Sequence, residues 1–195
     1  MIVVVCLNPA LDVTHHLDAV DWGGVNRPRA VHARPGGKGL NVARTLHALG
    51  VDVLVLGLAG GITGAGVEAA LRERCVPAAL TPVAGETRRT FSVVDGSRVT
   101  AFYEAGPAVS AEEFAAFRRG YEQALDGAAA VVLSGSLPPG LEPDLRHADS
   151  VRRDTRGAGH PRRGVAAGGS RGRRHREAEP GRARVVDWTP AGHPG

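Results

Sequence analysis

A glycine-rich segment that leads into a helix is the part of the sequence best suited to chemistry. It reads Pro35-Gly36-Gly37-Lys38-Gly39-Leu40-Asn41-Val42-Ala43. Glycines let a backbone approach a ligand closely, and the first amides of a helix have no partner within it. Lys38 adds a cationic donor, and we expect Asn41 on the first helical turn, facing back toward the loop. The segment predicts a site for a polar ligand, although a tight turn alone would use the same glycines.

Two common nucleotide-binding patterns are excluded at this segment. A Walker A loop needs Ser or Thr after its lysine, whereas Gly39 follows Lys38. The dinucleotide fingerprint would place a glycine where Val42 stands. The segment by itself therefore leaves the ligand open.

The elements that must position this segment alternate between strand and helix over residues 1–150. A continuous β-branched run at residues 2–7 is typical of a strand buried on both faces. Such alternation predicts an α/β fold with a mostly parallel sheet, to which a hairpin with an Asp95-Gly96 turn is added. We predict further strands at 51–58, 90–94, Arg98–Tyr103 and 129–133, a glycine-rich turn at 60–64, and helices at 39–49, at 66–74 and after the capping box of Ser110 and Glu113.

Residues 151–195 differ in composition from the rest of the chain. Residues 1–150 carry 13 basic and 16 acidic side chains, whereas the last 45 residues carry 11 arginines and 4 acidic side chains. These 45 residues contain no Leu, Ile, Phe, Tyr or Met. They cannot bury enough apolar surface to offset an ordering cost of about 1–2 kcal/mol per residue, so we predict disorder for this tail.

Length, cysteine content and hydropathy narrow the class of protein. The 195 residues suit one domain with a sizeable core, and no run approaches the roughly 20 apolar residues of a membrane helix. No basic region precedes the first apolar run, so no signal peptide is expected. Cys6 and Cys75 are too few for a disulfide scaffold, and the adjacent His15 and His16 do not suit one metal site. A reduced, cytoplasmic protein is expected.

Three motifs in the first 150 residues resemble those of the PfkB branch of the ribokinase-type carbohydrate kinases, in the same order and spacing. Within that family the pattern is most similar to the group of 1-phosphofructokinase and tagatose-6-phosphate kinase. The resemblance implies a ribokinase-like sheet flanked by helices, with a small β lid whose strands fall within about 13–33 and 87–103. The motifs are Leu7-Asn8-Pro9-Ala10-Leu11-Asp12, residues 36–43, and Leu133-Ser134-Gly135-Ser136-Leu137-Pro138-Pro139-Gly140.

The same resemblance implies a reaction and a set of substrate contacts. The family transfers the γ-phosphoryl of ATP, with Mg²⁺, to a sugar; here fructose 1-phosphate would give fructose 1,6-bisphosphate, with tagatose 6-phosphate or fructose 6-phosphate as the alternative acceptor. The matched aspartate would bind sugar hydroxyls, and the two matched arginines would bind the phosphate already on the sugar. Each residue also has a structural interpretation: the aspartate as a turn residue, the arginines as solvated surface charges, and the serines as partners of the loop backbone. The matched residues are Asp12, Arg27, Gly37, Lys38, Asn41, Arg88 and Ser136.

The catalytic and nucleotide-binding motifs of that family are absent from this sequence. Gly157-Ala158-Gly159 is followed by His160 rather than by the aspartate that would act as base, and Lys-Pro-Asn does not occur. Arg, Gly, Ala and Pro, whose codons are GC-rich, dominate the tail. We therefore expect a truncated kinase domain with a change of reading frame between about Leu145 and Arg162. No catalytic residue is assigned, and we expect negligible catalysis by this chain alone.

Two further functions and one assembly state are open at this point. A non-catalytic sugar-phosphate binder would use the same contacts. A nucleic-acid arm at residues 171–176 is disfavoured, because Trp188 is the only aromatic residue of the tail. Homodimerisation through the lid is the expected assembly, and no membrane partner is expected.

Overall fold

The computed structural model describes residues 1–141 and the backbone of residues 184–187, and this part of the chain forms two β-sheets and three helices. Nine strands and the helices follow one another along the chain in a β/α order. The strands are β1 (Ile2–Cys6), β2 (Ala10–Leu17), β3 (Ala30–Gly36), β4 (Val53–Ala59), β5 (Ala78–Pro82), β6 (Arg88–Asp95), β7 (Arg98–Tyr103), β8 (Ala130–Leu133) and β9 (Arg184–Asp187), and the helices are α1 (Lys38–Ala48), α2 (Gly61–Glu73) and α3 (Ala111–Leu125).

The first sheet is entirely parallel, in the order β5-β4-β1-β8-β9, and has helices on both faces. Alternate residues of β1 pack against α1 and α2 on one side and against α3 on the other, which explains why its sequence is apolar throughout. Fully burying each large apolar side chain contributes about 1.5–3 kcal/mol. This arrangement confirms the predicted α/β fold with a mostly parallel sheet. The helix residues buried in it are Leu40 and Ala43 of α1, Val67 and Leu71 of α2, and Phe117 of α3.

The ends of α1 and α3 follow their sequence signals. Ser110 and Glu113 form the predicted capping box, in which each side chain bonds to the backbone N–H of the other residue. Gly50, directly after the C-cap Leu49, has a φ of 74°, which a glycine adopts without strain. The local sequence therefore marks the C-terminal end of α1 and the N-terminal start of α3.

The second sheet is smaller, mixed, and ordered β3-β2-β6-β7. β2 pairs antiparallel with β3 and parallel with β6, and β6 pairs antiparallel with β7. Directly paired residues share a face, so Asp12, Arg34 and Thr90 lie on one side, while Val13, Phe91 and Phe102 lie on the other. These strands correspond to the small β lid that the sequence resemblance implies within about 13–33 and 87–103.

The chain crosses between the two sheets four times in residues 1–141. The crossings are residues 7–9, Gly37, residues 83–87 and residues 104–109. Because β1, β4 and β8 are parallel, their carboxyl ends share one edge, where open α/β sheets bind ligands.

Two local predictions differ from the structure. α2 begins at Gly61 rather than at residue 66, because the glycine-rich residues 60–64 form its first turn instead of a separate turn. In the hairpin, Asp95 pairs with Arg98, and the two-residue loop is Gly96-Ser97, with a φ of 58° at Gly96. A glycine at the first loop position is typical of a type II′ turn, so the turn lies one residue later than predicted.

One short strand lies within the arginine-rich tail. β9 pairs in parallel with β8, from Ala130 opposite Arg184 to Leu133 opposite Asp187. Composition predicted disorder for the whole tail, so these four residues differ from that expectation. The remaining tail residues, including residues 171–176 and the interval proposed for the frame change, lie outside the described residues.

Candidate functional site

The start of α1 is packed against the carboxyl ends of β1 and β8. The N-cap Gly37 has a φ of 101°, and a Cβ there would lie 3.3 Å from Cys6 Sγ. A Cβ at Gly39 would lie 2.6 Å from the Cβ of Cys6 and 3.0 Å from the carbonyl oxygen of Ser134. The Lys38 side chain is exposed, and no acid occupies the first turn. This edge therefore presents a positive helix end and a cation.

Asp12 lies on the face of the second sheet that turns toward this helix start. Its Oδ1 accepts a hydrogen bond of 2.5 Å from the hydroxyl of Thr90. A Cβ at Gly36 would overlap the carboxylate, so the carboxylate lies directly over the last residue of β3. Thr90 engages one oxygen, and a carboxylate can accept further hydrogen bonds from hydroxyl groups.

Asn8 joins three segments of the site. The two N–H groups of its Nδ2 face three acceptors: the carbonyl of Ala105 at 3.1 Å, the hydroxyl of Ser136 at 3.2 Å and the carbonyl of Leu137 at 3.5 Å. The side chain is buried, and a Cβ at Gly106 would overlap its Oδ1. One amide thus ties the end of β1 to the segment after β7 and to the loop after β8.

Arg88, the first residue of β6, lies beside Asn8. Its Nε donates to the Asn8 carbonyl at 3.3 Å, and its Nη1 donates to the Glu104 carbonyl at 3.4 Å. In the register, Arg88 is opposite Ala10 and two residues before Thr90, so it shares the face of Asp12. Its partners are neutral carbonyls, which leaves the positive charge available to an anion.

Two buried oxygens at this edge have no hydrogen-bond partner within the described part of the chain: Asn8 Oδ1 and Ser134 Oγ. Buried polar atoms are nearly always paired with protein, water or ligand. Cys6 lies in the same layer, and burial raises the pKa of its thiol despite opposing hydrogen bonds from the backbone of Leu40 and Gly39. The thiol is therefore neutral at physiological pH.

The structure brings five of the seven substrate-contact candidates to one edge: Asp12, Gly37, Lys38, Arg88 and Ser136. Asn41 is exposed, and its Oδ1 accepts a hydrogen bond from Arg44 at 3.2 Å. Arg27 lies in the exposed loop between β2 and β3, at the end where His16 pairs with Ala30. That end is about 13 Å along the strand from Asp12, at about 3.3 Å per residue. Arg27 is therefore separated from the others within one chain.

Sequence reasoning missed Asn8 and Thr90 as parts of the site. Asn8 lies inside the first motif, but its residue type alone does not indicate that its amide joins three segments. Thr90 was treated only as a strand residue. Its contact with Asp12 depends on the pairing of β2 with β6, which are separated by 78 residues in the chain.

Two features, a metal-binding cluster and a membrane-spanning helix, are absent from the described residues. No group of three or more His, Cys, Asp or Glu side chains there could hold a metal ion. None of the described helices is long and apolar enough to cross a membrane.

The fold and this edge together define a class of protein. Residues 6–152 match the family described as pfkB family carbohydrate kinase, and the chain belongs to that family. The match includes the whole second sheet and every residue placed at the site; in the first sheet it begins at the last residue of β1 and ends before β9.

Several of the similar solved structures are phosphofructokinases. The chain is 32% identical to a "Possible 1-phosphofructokinase" of Thermotoga maritima, with a TM-score of 0.70 over 75% of this chain and 48% of that one. It is 30% identical to phosphofructokinase-2 of Escherichia coli in complex with fructose-6-phosphate, with a TM-score of 0.67 over 73% and 47%. A tetrameric inhibited form of that enzyme is 33% identical, with a TM-score of 0.65 over 72% and 47%. The chain spans about half the length of these structures.

Proposed function

We propose that this chain carries the sugar-phosphate site of an ATP-dependent phosphofructokinase, with fructose 1-phosphate as acceptor and fructose 1,6-bisphosphate as product. The observation that carries the proposal is the convergence of Asp12, Arg88 and the α1 start where the two sheets meet. Fructose-6-phosphate in the Escherichia coli relative supports a phosphorylated ketose as ligand. Tagatose 6-phosphate and fructose 6-phosphate are the competing substrates.

Each group at the edge suits one part of such a ligand. The Asp12 carboxylate accepts hydrogen bonds from sugar hydroxyls, and Thr90 fixes its orientation. Arg88 and Lys38 neutralise the phosphate already on the sugar. Ser136 and the backbone beside Gly37 close the site from the parallel sheet. The charges are therefore complementary to a polyol that carries a phosphate.

The transfer step needs groups that residues 1–141 do not supply. The family resemblance implies ATP as phosphoryl donor, Mg²⁺ as its metal and an aspartate as base, and these residues offer neither a metal site nor a base motif. Phosphoryl transfer depends almost wholly on positioning and electrostatics. We therefore propose that this chain binds its sugar phosphate without turning over ATP, which makes a non-catalytic binder the second candidate function.

Calorimetric titration with three sugar phosphates tests this proposal. We expect fructose 1-phosphate to bind more tightly than fructose 6-phosphate or tagatose 6-phosphate, and fructose to bind at least about tenfold more weakly, because it lacks the phosphate. Asp12→Asn and Arg88→Met should each weaken binding about tenfold or more, whereas Arg98→Met, in the exposed hairpin, should not. Absence of saturable binding by the unaltered chain would refute the proposal, and ATP turnover would refute its non-catalytic form.

We also propose that two copies pair through the open face of the second sheet, and that the protein is cytoplasmic. Val31 and Phe102 on that face are 53% and 54% exposed. An Escherichia coli relative has a tetrameric form. Arg27, in the loop between β2 and β3, would then contact the phosphate bound by the second copy, since the site of its own copy is too distant. Light scattering should give a dimer mass, and Phe102→Glu should give a monomer.

A further inference from the structure

Two carboxylates hold the loop that precedes Arg88: one belongs to α3, and the other belongs to the loop itself and bonds to α2. Glu113, at the start of α3, accepts a hydrogen bond of 2.6 Å from the Ala84 N–H. Glu86 reaches the start of α2, where its two oxygens accept from the N–H groups of Thr63 at 2.6 Å and Ile62 at 3.3 Å. Residues 83–87 are therefore fastened to both helices.

Glu86 supplies a cap that α2 lacks in its own sequence. The N-cap is Gly60, which has no side chain, and no acid lies in the first turn of α2. The second and third amides of a helix are the ones that an N-cap side chain normally satisfies. Gly61 has a φ of 68°, and a Cβ there would overlap the Glu86 carboxylate. The glycine and the distant glutamate therefore act as one cap.

The cap is continuous with the residue before Arg88. Thr87 is 2% exposed; its N–H donates to the Gly60 carbonyl at 2.9 Å, and its hydroxyl accepts from the Gly60 N–H at 2.9 Å. Arg88 follows directly and donates to the Asn8 carbonyl. Three consecutive residues, Glu86, Thr87 and Arg88, are thus bonded to the start of α2 and to Asn8.

We propose that Glu86 is a positioning residue for phosphate recognition: by capping α2 it holds Thr87, and thereby the Arg88 guanidinium, at the site edge. This inference rests on the proposed sugar-phosphate site. Hydrogen bonds from Thr63 and Ile62, with the nearby charge of Arg89, hold the pKa of Glu86 below its usual range, so the carboxylate is ionised at neutral pH. An ionised oxygen is the stronger acceptor for the helix amides.

A double-mutant cycle in fructose 1-phosphate affinity tests the positioning role. We expect Glu86→Gln to weaken binding about tenfold in the unaltered chain but less than about twofold in the Arg88→Met background. The second effect is smaller because Glu86 acts through the contact between Arg88 and the phosphate, which Arg88→Met has already removed. Glu68→Gln is the matched control, since Glu68 lies on α2 and has no hydrogen bond or ion pair with any described residue. It should leave affinity unchanged. Circular dichroism and urea unfolding establish that each variant is folded at the assay temperature.

Hydrogen exchange separates this inference from the proposed function. Glu86→Gln should speed exchange of the Ile62 and Thr63 amides, and Glu68→Gln should not. Absence of binding by the unaltered chain would overturn both proposals. Normal binding by the unaltered chain with the same affinity in Glu86→Gln, or an equal loss in both Arg88 backgrounds, would overturn the positioning role alone.

Discussion

The Asp12 carboxylate lies directly over the Cα of Gly36, so that a Cβ at this glycine would occupy the place of the carboxylate. The two residues belong to paired strands, and Gly36 is followed immediately by the N-cap of α1. The carboxylate of Asp12 therefore lies over the residue directly before the N-cap of this helix. This contact makes the glycine as important to the site as the acid.

Gly36→Ala should displace Asp12 and weaken sugar-phosphate binding. We expect a loss of about tenfold or more in fructose 1-phosphate affinity by calorimetry, because the carboxylate must leave its hydrogen bond with Thr90. Gly66→Ala is the control: a Cβ there meets nothing within 4 Å, and the helical position should gain about 0.5–1 kcal/mol in unfolding free energy. Equal affinity in Gly36→Ala would show that Asp12 does not contact the ligand.

Removing the Asn8 amide should destabilise the junction between the sheets. Asn8→Ala removes the donor of part-buried hydrogen bonds to the Ala105 and Leu137 carbonyls, and a typical hydrogen bond contributes about 0.5–1.5 kcal/mol. The free energy of unfolding from urea titration measures this loss. Asn26→Ala, in an exposed loop, should change it by less than about 1 kcal/mol. A similar value for both variants would contradict a joining role for Asn8.

Acid should destabilise the protein through Glu86 and Glu113. Hydrogen bonds from the Ser110 and Ala84 backbone lower the pKa of Glu113, and those from Thr63 and Ile62 lower that of Glu86. Because the folded pKa values lie below the unfolded value of about 4.3, their contribution is present above that pH and is lost as pH falls through the folded values.

The urea midpoint measured from pH 7 to pH 3 tests this effect. The urea midpoint should decrease once the pH is lowered past about 4.5. In the Glu86→Gln, Glu113→Gln double variant this decrease should be smaller. Glu68→Gln, Glu112→Gln provides a control with the same change in charge. Identical slopes for the two double variants would rule out the two carboxylates as the source.

Only one of the two cysteines should react with a thiol reagent in the native state. Cys75 is exposed, whereas Cys6 is buried beneath the α1 start and burial raises the pKa of its thiol. We expect Cys75 to react at least about a hundredfold faster than Cys6 with a disulfide reagent at pH 8, since the thiolate is the reactive form. Cys75→Ser isolates the slow thiol, and fast labelling of that variant would mean that the α1 start opens readily.

Elements with a strong local signal were predictable from sequence. The apolar run of β1, the capping box of α3 and the glycine after α1 each depend on residues near in the chain. α2 was harder, because its first turn consists of residues that favour turns and its cap comes from Glu86, more than twenty residues away. The hairpin register was missed by one residue, because Asp95-Gly96 and Gly96-Ser97 are both acceptable turns.

Sequence alone determined the family motifs, the α/β alternation and the contrast between residues 1–150 and the tail, because these depend on residue type and short-range period. Tertiary structure alone decided which motif residues meet. Asp12 and Thr90, or Asn8 and Ser136, are brought together by strand pairing across 78 and 128 positions. The tertiary structure also separates Arg27 from the edge of the site. The position of Arg27 depends on the length and direction of β2 and β3 and of the loop between them, rather than on the residue type.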